Sequence, residues 1–85
     1  MPKTIFQGAH THLVEVLIEM RRTADLNQSE VAERVGKSQS FVSLIESSQR
    51  RVDVLEFIAL TRAMGFDPLE AFADLLKRVP ASFDI

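Results

Sequence analysis

The sequence predicts an all-α fold built from five helices. Apolar residues recur three and four positions apart, the spacing that gives a helix one apolar face. Helix-start signals occur three times, each an Asn or Asp followed three residues later by Glu. No segment shows the alternation of apolar and polar residues that is typical of a half-buried strand. A chain of 85 residues is expected to form a single domain, residues 1–85, around one core.

The first three helices are expected in the N-terminal half of the chain. Asn27 and Glu30 predict a capping box at the start of the second helix. Gly36 is expected to take the left-handed conformation that ends the second helix and redirects the chain into the third. The three helices are expected over about 10–24, 28–35 and 38–48. The residues expected along the inward face of the first helix are Leu13, Val14, Leu17, Ile18 and Arg21.

Helices four and five have the clearest start signals. Asp53 precedes Glu56 by three residues, and Asp67 precedes Glu70 by three. Pro68, directly after Asp67, suits the first position of a helix because its missing N–H is not needed there. The two helices are expected over about 53–64 and 68–78. The residues expected to be buried are Leu55, Ile58, Ala59 and Met64 in helix four, and Leu69, Phe72, Leu75 and Leu76 in helix five.

Composition excludes several classes of protein. Apolar residues make up 46% of the chain and charged residues 26%, which is typical of a globular domain rather than a disordered one. The chain has no cysteine, which excludes disulfides, iron–sulfur clusters and cysteine-ligated zinc. It shows neither a basic segment followed by a long apolar run nor a span of roughly 18 apolar residues. We therefore expect a cytoplasmic protein that is neither secreted nor embedded in a membrane.

An enzymatic function is not expected. His10 and His12 are two residues apart, which places them on different faces of a helix, whereas two zinc ligands on one face need a spacing of three or four. The sequence contains no Gly-rich phosphate loop and no nucleophile motif. We expect no catalytic residue, no metal and no cofactor.

The distribution of charge bears on nucleic-acid binding. The net charge of −2 is unusual for a nucleic-acid-binding protein, which commonly has a basic excess. Residues 21–51, however, carry six basic and four acidic side chains, and residues 52–85 carry three basic and six acidic ones. The middle of the chain is therefore locally positive. That excess fits either a small phosphate footprint or an ordinary solvated surface.

The two short helices around Gly36 form a helix-turn-helix pattern. The segment NQSEVAERVGKSQSFVSLIESSQRR, residues 27–51, resembles the lambda-repressor-like helix-turn-helix family, the Cro-type or xenobiotic-response-element group of phage and bacterial regulators. The resemblance extends over about residues 13–66, the expected helix-turn-helix core. The residues that match the family pattern are Arg21, Gln28, Ala32, Gly36, Val42, Ile45 and Glu46.

The resemblance implies a sequence-specific, double-stranded DNA-binding transcriptional regulator, a repressor that reads the major groove with its third helix. It implies a phosphate contact for the amide of Gln28 and a structural ion pair between Arg21 and Glu46. Gln39 suits an adenine edge, and Leu44 suits a thymine methyl. The residues expected to meet DNA are Gln28, Lys37, Ser38, Gln39, Ser40, Ser43, Leu44, Arg50 and Arg51. The same serines and glutamines would also suit an uncharged, solvated helix face.

Four residues depart from the family pattern. Ser48 stands where glycine is usual, so the chain there must either accept a strained positive φ or end the helix differently. Asp25 stands where glycine is common, and aspartate tolerates the left-handed conformation better than most residues. Phe41 and Leu44 occupy positions that are often polar. These two apolar side chains are compatible with thymine contact, with a partner protein, or with loss of DNA binding.

Helix five and the tail, residues 67–85, carry more apolar surface than a small core should need. One interpretation is a homodimer interface that sets two recognition helices about 34 Å apart on a palindromic operator. The other is that these residues close the core of the monomer. A function of another class also stays open, a protein-interaction module such as an antitoxin that covers a toxin, or a co-regulator. The apolar residues in question are Phe66, Leu69, Phe72, Ala73, Leu75, Leu76, Val79 and Phe83.

Overall fold

The computed structural model describes residues 8–84, and within them it contains five helices and no strand. The helices are α1 (His10–Thr23), α2 (Gln28–Arg34), α3 (Gln39–Glu46), α4 (Val54–Ala63) and α5 (Pro68–Arg78). The all-α prediction and its five helices are confirmed, and each expected boundary lies within two residues of the observed one. No helix in the described range combines the length and apolarity needed to cross a membrane.

The starts of α2 and α4 are fixed by capping boxes. Asn27 accepts from the backbone N–H of Glu30, and the Glu30 carboxylate accepts in return from the N–H of Asn27. Asp53 and Glu56 make the same reciprocal pair at the start of α4. These bonds satisfy backbone donors that a helix start otherwise leaves without a partner.

The capping box predicted for α5 is wrong. Asp67 does cap the helix, but its side chain accepts from the N–H of Leu69, one residue earlier than in a capping box. Pro68 occupies the first position of the helix, as predicted. The carboxylate therefore bonds the second residue of α5 instead of the third, and Glu70 is left out of the cap.

Helices α1 to α4 end in the same way. In each, a residue with positive φ follows the last turn: Asp25, Gly36, Ser48 and Gly65. At the end of α3 the N–H of Ser48 donates to Ile45 O and the N–H of Gln49 donates to Leu44 O, at 3.0 and 2.9 Å. This pair of bonds is the Schellman motif, which satisfies the last carbonyls of a helix and reverses the chain. Ser48 therefore adopts the strained conformation rather than a different helix end, and this stops α3 at Glu46, two residues earlier than expected.

One core joins the helices. α2 and α3 pack most extensively on each other, and α1 lies against α3, α4 and α5. Thr61, on α4, is completely buried, and its hydroxyl donates back to Phe57 O at 2.9 Å, so the polar atom has a partner inside the helix. The buried core residues are Val14, Val16, Leu17, Met20, Val31, Ala32, Val42, Ile45, Phe57, Leu60, Met64 and Ala71.

The buried faces predicted for α4 and α5 are largely wrong. Leu55 is 76% exposed and Ala59 is exposed, because α4 turns Phe57, Leu60 and Thr61 inward instead; Ile58 is half-buried and only Met64 is buried as expected. On α5 the only buried residue is Ala71, and Leu75 is half-buried. Leu69, Phe72 and Leu76 are exposed at 74, 47 and 57%. The apolar stripe of α5 therefore faces outward.

Candidate nucleic-acid interface

The helix-turn-helix is built on four small or branched core residues. Val31 and Ala32 of α2 meet Val42 and Ile45 of α3, and each of the four is at most 4% exposed. The small side chain of Ala32, only 1% exposed, lets the two helices pack closely on each other. Gly36, with φ of 71°, turns the chain between the helices. The outer side of α3 is thereby left free of the core.

Arg21 and Glu46 form a two-point ion pair between α1 and the end of α3. Arg21 Nε donates to Glu46 Oε2 at 2.6 Å, and a terminal nitrogen donates to Oε1 at 2.9 Å. The guanidinium also donates to the backbone oxygen of Leu26 at 3.0 Å. The bonds to Glu46 raise the pKa of Arg21. These are the residues expected to pair, and their bonds lock the last turn of α3 against α1.

A hydrogen-bonded chain runs outward from this ion pair. The Gln28 amide Nε2 donates to Glu46 Oε1 at 2.9 Å. Gln28 Oε1 in turn accepts from Gln39 Nε2 at 2.6 Å. Gln28 is the first residue of α2 and is half-buried, whereas Gln39 is the first residue of α3 and is exposed. The side chain expected to touch phosphate and the one expected to touch a base are thus joined to each other.

The remaining predicted contacts on α3 lie along its outer side. Ser38 stands at the N-cap position in extended conformation, but its side chain makes no capping bond. Ser40 is exposed, Ser43 is half-buried, and Leu44 is 41% exposed. The hydroxyl of Ser38 is therefore not used by the helix start, and the α3 surface between these residues is polar apart from Leu44.

Phe41 forms an aromatic platform for two cations. Its ring lies between the chain segments that precede and follow α3, with Lys37 Nζ 5.6 Å and Arg50 Cζ 4.6 Å from the ring centroid. Such contacts are worth about 0.5–1 kcal/mol at exposed sites. The family pattern gave no reason for an aromatic residue here. The four-residue spacing of Lys37 and Phe41 was the one visible signal of this contact; the approach of Arg50 required the fold.

Arg50 is held on the protein by Glu56. The two terminal guanidinium nitrogens donate to the two carboxylate oxygens at 2.9 and 2.8 Å, and one of them also donates to Arg51 O. The bonds from Arg50 lower the pKa of Glu56, and the same pair raises the pKa of Arg50. Because Glu56 also belongs to the capping box of α4, one carboxylate fixes both the loop after α3 and the start of α4.

The neighbouring side chains have structural partners as well. Arg51 is exposed, and its positive charge lies near His10. His10 Nε2 accepts from the N–H of Val52 at 3.3 Å, and burial, followed by the charge of Arg51, lowers the pKa of this imidazole. His12 instead pairs with Glu15 at 3.1 Å. Over residues 8–84, no three His, Cys, Asp or Glu side chains lie close enough to hold a metal ion.

Comparison with known proteins identifies a family and solved structures that resemble this fold. The helix-turn-helix family model matches residues 17–70. No curated protein matches the chain. Among solved structures, an XRE-family like protein from Pseudomonas syringae pv. tomato str. DC3000 is 39% identical, with a TM-score of 0.78 over 85% of this chain and 88% of that one.

Two further structures resemble the chain. The restriction-modification controller protein C.AhdI from Aeromonas hydrophila is 28% identical, with a TM-score of 0.67 over 74% of this chain and 91% of that one. The clp gene regulator ClgR from C. glutamicum is 16% identical, with a TM-score of 0.76 over 91% and 100% of the two chains, and it supports the fold alone.

The extent of the family match and the identity to the Pseudomonas structure together define the class: this is a helix-turn-helix protein. More narrowly, the chain belongs to the XRE family of lambda-repressor-like regulators, as the resemblance of its α2–α3 segment implied. The family is one of DNA-binding transcription regulators, and it is not an enzyme family.

Proposed function

We propose that this protein is a sequence-specific repressor that reads double-stranded DNA in the major groove with α3. The observation that carries the proposal is the exposed first turn of α3, where Gln39 is held by Gln28 and, through it, by Glu46. A major groove about 12 Å wide admits one helix. A side chain fixed before binding loses less conformational freedom when it meets a base edge.

The individual contacts follow from the position of each group. Gln39 presents a donor and an acceptor to an adenine edge, and Leu44 meets a thymine methyl. Ser40 and Ser43 lie on the same side of α3 and donate to bases or to the backbone. Phosphate contacts are assigned to the second N–H of Gln28 and to Lys37, Ser38 and Arg51, which fix the register of the protein on DNA without reading sequence.

Arg50 has a different part in this proposal. The resemblance to the family implies a position beside the sugar–phosphate backbone for Arg50, but its guanidinium is bonded to Glu56 at two points. We therefore assign it to holding the loop after α3 in place, in support of the phosphate contacts made around it. The positive charges that face DNA are then few, which accords with a chain whose net charge is −2.

A homodimer is part of the proposal. Five exposed apolar side chains, here called the outer apolar face, support it: Val54, Leu55, Leu69, Phe72 and Leu76. Val54 and Phe72 line the same surface depression, which connects the α4 part of this face to the α5 part. A two-fold dimer through such a face would present two copies of α3 to half-sites about one DNA turn apart.

In this proposal the protein represses transcription by occupying its operator. A dimer bound across a palindromic operator in the prokaryotic cytoplasm excludes other proteins from the same stretch of DNA.

Selection of bound sequences from random duplex DNA at two salt concentrations tests the proposal. We expect one palindromic motif, weakened by salt and relaxed in a Gln39→Ala, Ser40→Ala variant. Recovery of no motif at either concentration would contradict it.

One set of observations favours a second function. The outer apolar face and Leu44 are exposed apolar surface, which also suits a protein partner, such as a toxin covered by an antitoxin. Under this alternative the chain selects no DNA motif, and substitutions on the outer apolar face abolish binding to the partner while Gln39→Ala leaves it unchanged. The selection experiment therefore separates the two functions.

A further inference from the structure

The chain of bonds from Arg21 to Gln39 has a fixed direction. Arg21 has only donors, and the Glu46 carboxylate has only acceptors. The amide of Gln28 has an NH2 group that donates and an oxygen that accepts, so the side that faces Glu46 is its nitrogen, at 2.9 Å. Its oxygen is then turned toward α3, where it accepts from Gln39 Nε2 at 2.6 Å. Each orientation follows from the one before it.

The direction determines what Gln39 presents to solvent. One N–H of its amide is used by Gln28, so the amide nitrogen lies on the α2 side and Oε1 lies on the other side. The second N–H and Oε1 remain to pair with a base, with the donor on the α2 side and the acceptor on the opposite side. An adenine edge in the major groove likewise offers an acceptor and a donor in a set order, and only one order of the amide matches it.

We infer that the Arg21–Glu46 ion pair, besides bracing α1 against α3, sets the base preference of Gln39 by fixing the amide order through Gln28. This inference rests on the proposed function, in which Gln39 reads a base. Arg21 and Glu46 are positioning residues in it: neither touches DNA, and both act through Gln28. Base readout is thereby coupled to an ion pair whose side chains are only 16% and 10% exposed.

Substituting Glu46 by glutamine removes what fixes the order. Glu46 Oε1 accepts from both Arg21 and Gln28, whereas Oε2 accepts from Arg21 alone. An amide at position 46 presents its oxygen to Gln28 in one orientation and its nitrogen in the other, and each orientation loses one bond from Arg21. Gln28, and through it Gln39, is then no longer held in a single order. The shape of the site stays nearly the same, so the change acts on base preference.

The test compares DNA motifs selected by the wild-type chain, by Glu46→Gln and by Glu19→Gln. Glu19 makes a two-point ion pair with Arg78, at 2.7 and 2.8 Å, between α1 and α5. Its side chain is 59% exposed, against 10% for Glu46, so its substitution controls for the loss of a two-point ion pair to α1 away from α3. We expect a wild-type preference of about 10-fold or more at one base of each half-site. It should fall to about 3-fold or less, or pass to another base, in Glu46→Gln alone.

A second variant covers the case in which Glu46→Gln does not fold. Gln28→Ala leaves the Arg21–Glu46 pair intact and removes the link, so it should relax the same base. Loss of a phosphate contact alone would weaken all sequences equally. In the free protein, hydrogen exchange of the Gln39 side-chain amide, followed by NMR, should be slower in the wild type than in either variant.

The outcomes separate the inference from the function on which it rests. A wild-type motif that the folded Glu46→Gln protein, or Gln28→Ala in its place, keeps unchanged at every base would overturn the inference and leave the proposed function standing. A wild-type chain that selects no motif would overturn the proposed function, and the base-setting role of the ion pair with it.

Discussion

Ser48 shows how one residue can hold a helix end in a conformation that its type disfavours. Its φ is 62°, a left-handed value that costs a residue with a Cβ roughly 1–2 kcal/mol. The two hydrogen bonds of the Schellman motif and the half-buried Phe41 ring beside Arg50 hold the loop that follows α3 in place. These contacts therefore offset the free-energy cost of the positive φ at Ser48.

Ser48→Gly is expected to stabilise the protein by about 0.5–1 kcal/mol. Glycine removes the steric cost at positive φ but loses more backbone entropy on folding, so part of the gain is offset. The measurement is the free energy of unfolding in urea. Ser47→Gly, one residue earlier with φ of −90°, is the matched control and should give no gain. Equal effects of the two substitutions would contradict the strain at Ser48.

At the scale of the elements, helix starts and ends were predictable from short sequence signals, whereas the buried faces of α4 and α5 were not. Asn27, Asp53 and Gly36 act within a few residues of their own position, so local sequence determines them. α4 is apolar on most sides, and its buried stripe includes Thr61, a polar residue. On α5, the rule that an apolar stripe faces the chain's own core failed because Ala71 packs there instead.

The candidate interface was likewise predictable in part: the positions of its residues were, and the bonds between their side chains were not. The positions of Gln28 and Glu46 followed from the family pattern, and that of Gln39 followed from its place on the first turn of the third helix. The bonds between them join residues 11 and 18 positions apart, and only the packing of α2 on α3 brings these side chains together. The Arg50–Glu56 pair was not predicted from the sequence, because the capping box with Asp53 already accounted for Glu56.

The α2–α3 crossing depends on the small side chain of Ala32. Ala32→Leu is expected to destabilise the protein by about 1–3 kcal/mol, because the core has no room for three more carbon atoms and α3 must move. Urea unfolding gives the stability change. Ala59→Leu, on the exposed side of α4, is the control and should change stability by less than about 0.5 kcal/mol. Similar costs at both sites would argue against close packing at Ala32.

The start of α4 should respond to acid through Glu56. Its pKa is lowered in the folded protein, chiefly by the hydrogen bonds from Arg50, so the unfolded chain binds the proton more readily. The stability that this carboxylate contributes is present above about pH 4.5 and is lost as the pH falls below that value. In Glu56→Gln, the free energy of unfolding should decline less between pH 5 and pH 3. An unchanged decline would show that the pair contributes nothing.

At the scale of the whole molecule, the fold separates two surfaces. The exposed side of α3 is polar and carries the DNA contacts proposed for it, while the outer apolar face lies on α4 and α5. The molecule is small, with a Cα radius of gyration of 12.3 Å, and its core does not cover Leu69, Phe72 or Leu76. Exposed apolar stripes of this kind are typical of interaction sites.

The homodimer is tested on the outer apolar face. A Leu69→Gln, Leu76→Gln variant should remain folded, because both side chains are more than half exposed, but should sediment as a monomer. Leu44→Gln removes an exposed leucine from another surface and should leave the sedimentation coefficient unchanged. A double variant that still sediments as a dimer would show that the interface lies elsewhere. A wild-type chain that sediments as a monomer at micromolar concentration would contradict the proposed homodimer.

The proposed reading of a base edge by Gln39 on α3 is tested by a double-mutant cycle. Affinity is measured for the wild type and for Gln39→Ala on the selected operator and on an operator with the contacted adenine replaced. We predict that the wild type loses about 1–3 kcal/mol on the replaced operator and that Gln39→Ala loses almost nothing further. Equal losses for both proteins would contradict a base-reading role for Gln39.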